Sequence, residues 1–383
     1  LQQIREMGSQ APQQQEKLQR LRDEARGLLK KYADALDSLE QLVERAAAEN
    51  PALRCARPFN EILNQAFPVP PLENGYTLLA ADGSQINPDR HAAVEFGAIN
   101  VGAIRMRPDP GQAPDETVRS QMMFHDDLFT TSGLLTDDIV ALKRDLAERQ
   151  VLAELAKNEP APVLALTDGP LELFREPRNM PEFDAEMERY LRVLEDLADL
   201  AVGTAGYVDK PRGDLVVRLL ELPTLAQSGA LKKAGEERPL LGVYDVDLFT
   251  PLLRPGERSA IFAIHSGSSM KFRGRLALHF FYLNVGREGK PWLTRVEIPQ
   301  WVAGSERLVN LLHGCLLAQS RHLGARPYPY ILHRAHEVAV VSFNERDQLE
   351  SMIIAEMRRH GIEIEDRSYK QTAKDSSANK RSR

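Results

Sequence analysis

Apolar positions at alternating spacings of three and four run through residues 15–48: Leu18, Leu21, Ala25, Leu28, Tyr32, Ala35, Leu39, Leu42 and Ala46. Kept up over about four heptads, this stripe predicts one long helix. Glu16, Lys17, Arg20, Arg22, Asp23, Lys30, Lys31 and Asp34 fill the positions between, as a solvated face requires. Two readings stay open: a helix laid on its own body, or a coiled-coil arm that meets a second copy or a partner. Asn50-Pro51 ends it. Residues 51–74 carry five prolines and read as a linker.

The texture then changes. TLLAADGSQI (77–86) is an apolar run ending in Asp82-Gly83-Ser84, and VEFGAINVGAIRM (94–106) follows as a second strand-like run. With the Gly- and Pro-rich stretch 108–116 they suggest an antiparallel hairpin or meander. Residues 136–157 form an amphipathic helix, with Thr136 as N-cap and Asp137 and Asp138 in the first turn. PVLALTDGPL (162–171) reads as a buried strand ending in a second Asp-Gly, followed by a helix over 182–205. Strand-like runs at 214–222, 258–266, 276–285 and 291–299 precede helical segments at 303–323 and 345–360. A further strand is expected at Val338–Phe343. This alternation predicts an α/β or α+β body with a mixed sheet.

Composition narrows the classes. At roughly 150 residues per domain, 383 residues allow two or three units. The net charge of −6 excludes a uniformly basic nucleic-acid coat, but not a local basic groove. Cys55 and Cys315 make neither a disulfide framework nor a four-thiolate zinc site, which suits a reducing cytoplasm. No run reaches the roughly 20 apolar residues of a membrane span, and the polar opening LQQIREMGSQAPQQQ does not read as a signal peptide. The basic tail 366–383 is expected to be disordered.

Two carboxylates at strand ends, each followed by glycine, suggest a site. Acids held together repel unless a cation neutralises them, and hard oxygen ligands favour Mg²⁺ or Mn²⁺. A third carboxylate from the intervening helix would complete the set, and Glu148 and Glu154 are the candidates. A P-loop, H-E-x-x-H and G-x-S-x-G are absent, and Ala80 and Ile86 break the haloacid phosphatase and metal-adhesion patterns. A second cluster is ARPYPYILHRAHEVAVVSF (325–343), with Tyr328, Tyr330, His333, Arg334 and His336. Tyrosine can stack on a base or bond a phosphate, and neutral histidine can ligate metal or move a proton.

At these residues the chain resembles the NurA family of DNA end-processing nucleases. The matching pieces are LLAADGSQI (78–86), LALTDGPL (164–171), YVDKPRGDLVVRLLEL (207–222), LLRPGERSAIF (252–262), HFFYLNVG (279–286), TRVEIPQWVA (294–303) and PYPYILHRAHEVAVVS (327–342). The resemblance implies an α/β fold with an RNase H-like mixed-sheet core and inserted elements. It implies a homodimer with Mn²⁺-dependent 5′-to-3′ exonuclease and single-strand endonuclease activity on DNA. It also implies a role in end resection and break repair with a HerA-type hexameric translocase ATPase, in the cytoplasm at the nucleoid. By the family pattern Asp82, Glu148, Asp168 and His336 would hold the metal, with Tyr328 completing the catalytic set; Glu154 stays the alternative for the helix carboxylate. The second motif departs from the family, since Pro170 replaces a hydroxyl residue.

The expected organisation is a helical arm (1–50), the linker (51–74), a nuclease domain (75–362) and a basic tail (363–383). Arg254, Arg258, Lys271, Arg273 and Arg275 are candidate phosphate contacts, against a bland reading as solvated surface. Two other functions are carried beside the nuclease: a catalytically silent adaptor dimer guiding DNA to the motor, and an RNA-directed nuclease.

Overall fold

A computed structural model describes residues 2–108, 111–130, 133–173, 181–324 and 326–362. The basic tail, read above as disordered, lies outside them.

Among the described residues, nine strands make one mixed sheet. They are β1 (Cys55–Pro58), β2 (Thr77–Ile86), β3 (Gly97–Met106), β4 (Asp115–Met123), β7 (Val163–Asp168), β8 (Gly203–Val208), β9 (Phe262–His265), β10 (Leu278–Asn284) and β11 (Leu293–Pro299); the intervening β5 (Phe129–Thr130) and β6 (Gly133–Leu134) form a separate two-stranded ribbon. The order across the sheet is β1-β9-β10-β11-β8-β7-β2-β3-β4. β2, β3 and β4 are the antiparallel meander the pattern predicts, while β7 pairs parallel to β2 and β8 parallel to β7. That half is an antiparallel meander extended by two parallel strands, the mixed-sheet core the sequence leads one to expect; β1 and β9–β11 extend it.

The helices are α1 (Gln2–Lys31), α2 (Leu36–Glu49), α3 (Asp137–Ala156), α4 (Pro181–Asp199), α5 (Leu215–Gln227), α6 (Asp245–Phe249), α7 (Gln300–Ala303), α8 (Glu306–Ser320), α9 (Tyr330–Ala339) and α10 (Phe343–Arg359). Strand alternation splits the core in two. Leu79, Ala81 and Ala165 face a layer built from α1 to α5. Leu78, Ala80, Leu164 and Leu166 face α8 and α9. The site is set by the fact that α3 and α9 cover opposite faces of the same two strands, β2 and β3.

Four expectations change. The helix over 15–48 is two helices, broken at Tyr32–Ala35, where Leu63 N–H donates to the carbonyl of Ala33 at 2.9 Å. Its stripe faces the body: Ala25, Leu39 and Ala46 are buried, Leu18, Leu21, Leu28, Tyr32 and Leu42 are partly buried against the core, and α1 and α2 pack on α5. The linker supplies a strand, since β1 pairs antiparallel with β9. Residues 214–222 are helical, not extended. α5 is apolar almost all round because it is buried almost all round, and such a run has no strand-or-helix periodicity to read. Val338–Phe343 is not a strand either: α9 runs to Ala339, and Ser342 starts α10 through a capping box with Glu345. Among the described residues no helix is long and apolar enough to cross a membrane.

Candidate active site

Asp82 lies within β2 rather than at its end, because the strand continues to Ile86. It shares the α9 side of the sheet with Leu78 and Ala80. Its Oδ1 accepts the Gly83 N–H at 2.9 Å, and its Oδ2 lies 2.6 Å from His336 Nδ1. His336 reaches it because α9 sits directly on the sheet. The residue paired with Asp82 in β3 is Gly102. A Cβ there would stand 2.6 Å from Ala339 N and 2.8 Å from Ala335 O, so only glycine admits the helix this close. Ser84 Oγ and Asn100 Nδ2 then donate to the Ala339 carbonyl at 2.6 and 2.8 Å, pinning the last turn of α9.

The next residue, Gly83, turns to the other face. A Cβ on it would meet Arg144 Cγ at 2.6 Å and Glu148 Oε1 at 2.8 Å. Glu148 is therefore placed over β2 from α3, with Arg144 Nε 3.5 Å from its Oε1. Burial pushes the Glu148 carboxyl well above its usual range, and the charges of Asp145 and Asp82 push it further. Glu154 is exposed, away from this group.

Asp168 ends β7, and Gly169 takes a left-handed φ of 86°. Burial raises the Asp168 carboxyl, and the Asp82 charge adds to this; a hydrogen bond from Tyr328 opposes it. The Tyr328 hydroxyl is in turn raised by burial and by Asp168, and its ring meets Tyr207 edge-on at 5.5 Å. The missing hydroxyl at Pro170 leaves the loop anchored all the same. Leu171 and Glu172 donate their N–H groups to Glu297 Oε2 at 2.8 and 3.2 Å. Glu297 is buried and paired with Arg295 at 2.6 Å. A cavity of about 360 Å³ opens beside these groups, lined by Arg144, Asp145, Glu148, Asp168, Gly169 and Tyr190 among others.

The structure thus brings Asp82, Glu148, Asp168, Tyr328 and His336 to one region. Among the described residues no three His, Cys, Asp or Glu side chains converge as a ready metal-binding group. The donors nonetheless fit a hard divalent ion: beyond their burial, Asp82 raises both Glu148 and Asp168 by its charge, and a cation would relieve that repulsion. Ser84, Asn100, Gly102, Arg144 and Glu297 were not singled out for these contacts from the sequence. Only the glycine of the first Asp-Gly was a signal there.

The basic candidates do not form one surface. Arg258 is buried, bidentate to Glu61 at 2.9 and 3.0 Å, and stacked on Phe67, so it is a core residue and not a phosphate contact. Arg275 is paired with Glu195 and Asp199. Lys271 lies 3.7 Å from Asp184 and over the Phe183 ring. Arg254 and Arg273 are exposed.

A family model described as the NurA domain matches residues 76–341. No curated protein matches. Among solved structures, the NurA nuclease from Sulfolobus solfataricus aligns at 12% identity over 86% of this chain and 97% of that one, with a TM-score of 0.51. A NurA with manganese aligns at 13% identity over 75% and 91%, with a TM-score of 0.38. LC9-RNase H1, a type 1 RNase H with the type 2 active-site motif, aligns at 14% identity over 45% and 77%, with a TM-score of 0.23. At 12% identity the likeness to the Sulfolobus solfataricus structure is one of fold.

Proposed function

The chain belongs to the NurA family, and from that premise we propose that it is a metal-dependent nuclease that hydrolyses phosphodiester bonds in DNA. The observation that carries the reading is the 2.6 Å contact between His336 and Asp82, with Asp168 on the adjacent parallel strand. Asp82 and Asp168 lie on the α9 side of the sheet, with Glu148 reaching β2 from the opposite layer.

Asp82, Asp168 and Glu148 would hold Mn²⁺ or Mg²⁺, with His336 as a further ligand or proton carrier. A bound ion of that kind lowers the pKa of an attacking water and offsets charge on the phosphate. The remaining work belongs to the chain. His336 gives Nδ1 to Asp82, which leaves its exposed Nε2 edge to exchange a proton with the reacting oxygens. Tyr328, packed edge-on against Tyr207, stands close enough to Asp168 for each to raise or lower the other's proton affinity. Glu148, kept from solvent, holds the proton more tightly than an ordinary glutamate until a cation is near.

The finer reading is 5′-to-3′ exonuclease and single-strand endonuclease activity. The chain would act as a homodimer with a HerA-type hexameric ATPase in DNA end resection at the nucleoid. It is supported by the family to which the chain belongs. The deciding experiment is digestion of end-labelled single-stranded and duplex DNA by the purified chain, with Mn²⁺, with EDTA, and with Asp82→Ala as control. Cleavage that needs Mn²⁺ and vanishes in the variant is expected. Full activity in chelator or in the variant would overturn the reading.

A further inference from the structure

Three residues beyond Tyr207, the register partner of Asp168 in β8, the chain turns at Asp209-Lys210-Pro211. This turn leaves from the carboxyl ends of the parallel strands, the rim where open α/β sheets take their ligands. Lys210 has a left-handed φ of 44°. Glycine would adopt that conformation without strain, and the following proline restricts it further. A lysine is placed there despite that cost, and strained positions of this kind gather at functional sites.

The lysine is also braced. Its ammonium lies 4.2 Å from the centroid of the Trp292 ring. The indole is fixed in turn, since Trp292 Nε1 donates to Asp209 Oδ1 at 2.7 Å. Trp292 packs on the apolar layer beneath α8 and α9, so the ring is a platform anchored on one side. The result is an exposed cation with restricted freedom at the rim that holds Asp168. Asp209 is near enough for its charge to be felt by Asp168. A floppy surface lysine loses rotamer entropy when it binds, and a braced one loses less.

We infer that Lys210, held by Trp292 and Asp209, is a phosphate contact that seats a single nucleic-acid strand beside Asp168. The inference rests on the nuclease reading and adds to it a subsite outside the acidic cluster. One face of the rim carries the carboxylates that would hold an ion, and the braced ammonium beside it offsets the charge of a neighbouring phosphate in the same strand. A lysine makes this contact as a point charge, without base readout, so the strand is held regardless of sequence.

The test is binding of a fluorescent single-stranded oligonucleotide to the full chain in EDTA, over a range of NaCl concentrations. The wild type is compared with Lys210→Gln, Lys210→Arg and Trp292→Phe. Each phosphate contact on a single strand contributes about 0.7 to the slope of log K against log salt. Lys210→Gln is expected to weaken binding several-fold and to lower the slope by about that amount, with an unchanged melting temperature. Lys210→Arg should keep the slope, and Trp292→Phe should fall between. A purely structural lysine would shift melting and leave the slope alone, which would overturn the inference. If the wild type cleaves DNA and binds with the same slope as Lys210→Gln, only the subsite falls. If the wild type neither binds nor cleaves DNA, the nuclease reading falls and the subsite with it.

Discussion

His336 reaches Asp82 at 2.6 Å across a helix–strand contact that exists because Gly102, the partner of Asp82 in β3, has no side chain. The histidine's donor position and the aspartate's orientation are thus set by one packing event. His336→Ala is expected to lower the rate of cleavage by about 10²- to 10⁴-fold while the melting temperature holds, because the side chain is mostly exposed. Single-turnover digestion beside a thermal melt checks this. A variant with wild-type rate would remove the histidine from the chemistry.

Gly102→Ala probes the same contact without touching a polar group. The new methyl meets backbone atoms of Ala335, Val338 and Ala339, none of which can rotate aside, so α9 must lift. The expected outcome is a loss of about 1–3 kcal/mol of stability together with a loss of activity. Gly83→Ala meets the flexible side chains of Arg144 and Glu148 instead, so it should cost less stability. Denaturant melts of the two variants check the order, and a milder effect at Gly102 would contradict it.

Glu148 and Glu154 separate cleanly. Glu148 is buried over Gly83 beside Arg144, and Glu154 faces solvent. Glu148→Gln should abolish Mn²⁺-dependent cleavage and weaken Mn²⁺ binding in calorimetry. Glu154→Gln should change neither by more than about twofold, as for a surface substitution. The opposite pattern would move the helix carboxylate to Glu154.

What the sequence could reveal follows from how local each signal is. Asp82 and Asp168 stand next to glycine at the end of apolar runs, and Tyr328 and His336 share one short segment, so spacing alone drew attention to them. The mixed sheet was legible for the same reason, through apolar runs and their turn residues. Glu148 could not be told from Glu154, because the choice depends on which face of α3 meets β2. Ser84 and Asn100 were silent because their partner is a carbonyl, at Ala339, more than two hundred residues away. α5 reads as a strand in the sequence because full burial erases the periodicity that separates helix from strand. The heptad stripe was visible, but not that the chain itself buries it.

Asp245 offers a pH test remote from the acidic site. Its carboxyl is fully buried, accepting from Val217 N–H at 2.9 Å and from the Tyr282 hydroxyl at 2.8 Å. Arg295 lies within electrostatic reach of the same carboxyl. Burial pushes the group up from 3.8 to about 7, and the Asp214 charge adds to this; the N–H groups of Val216 and Val217 and the Tyr282 hydroxyl oppose it. The folded state therefore holds this proton more tightly than the unfolded chain. The stability it contributes is fully present below 3.8 and is lost as pH rises through about 7. Within that window the loss approaches about 1.4 kcal/mol per pH unit. Asp245→Asn keeps an acceptor for Val217 and lets the amide donate to Tyr282, but removes the titration. Its melting temperature relative to wild type should therefore rise between about pH 5 and about pH 8. A difference that stays flat across that range would show that Asp245 is charged throughout, with Arg295 rather than a proton as its counter-charge.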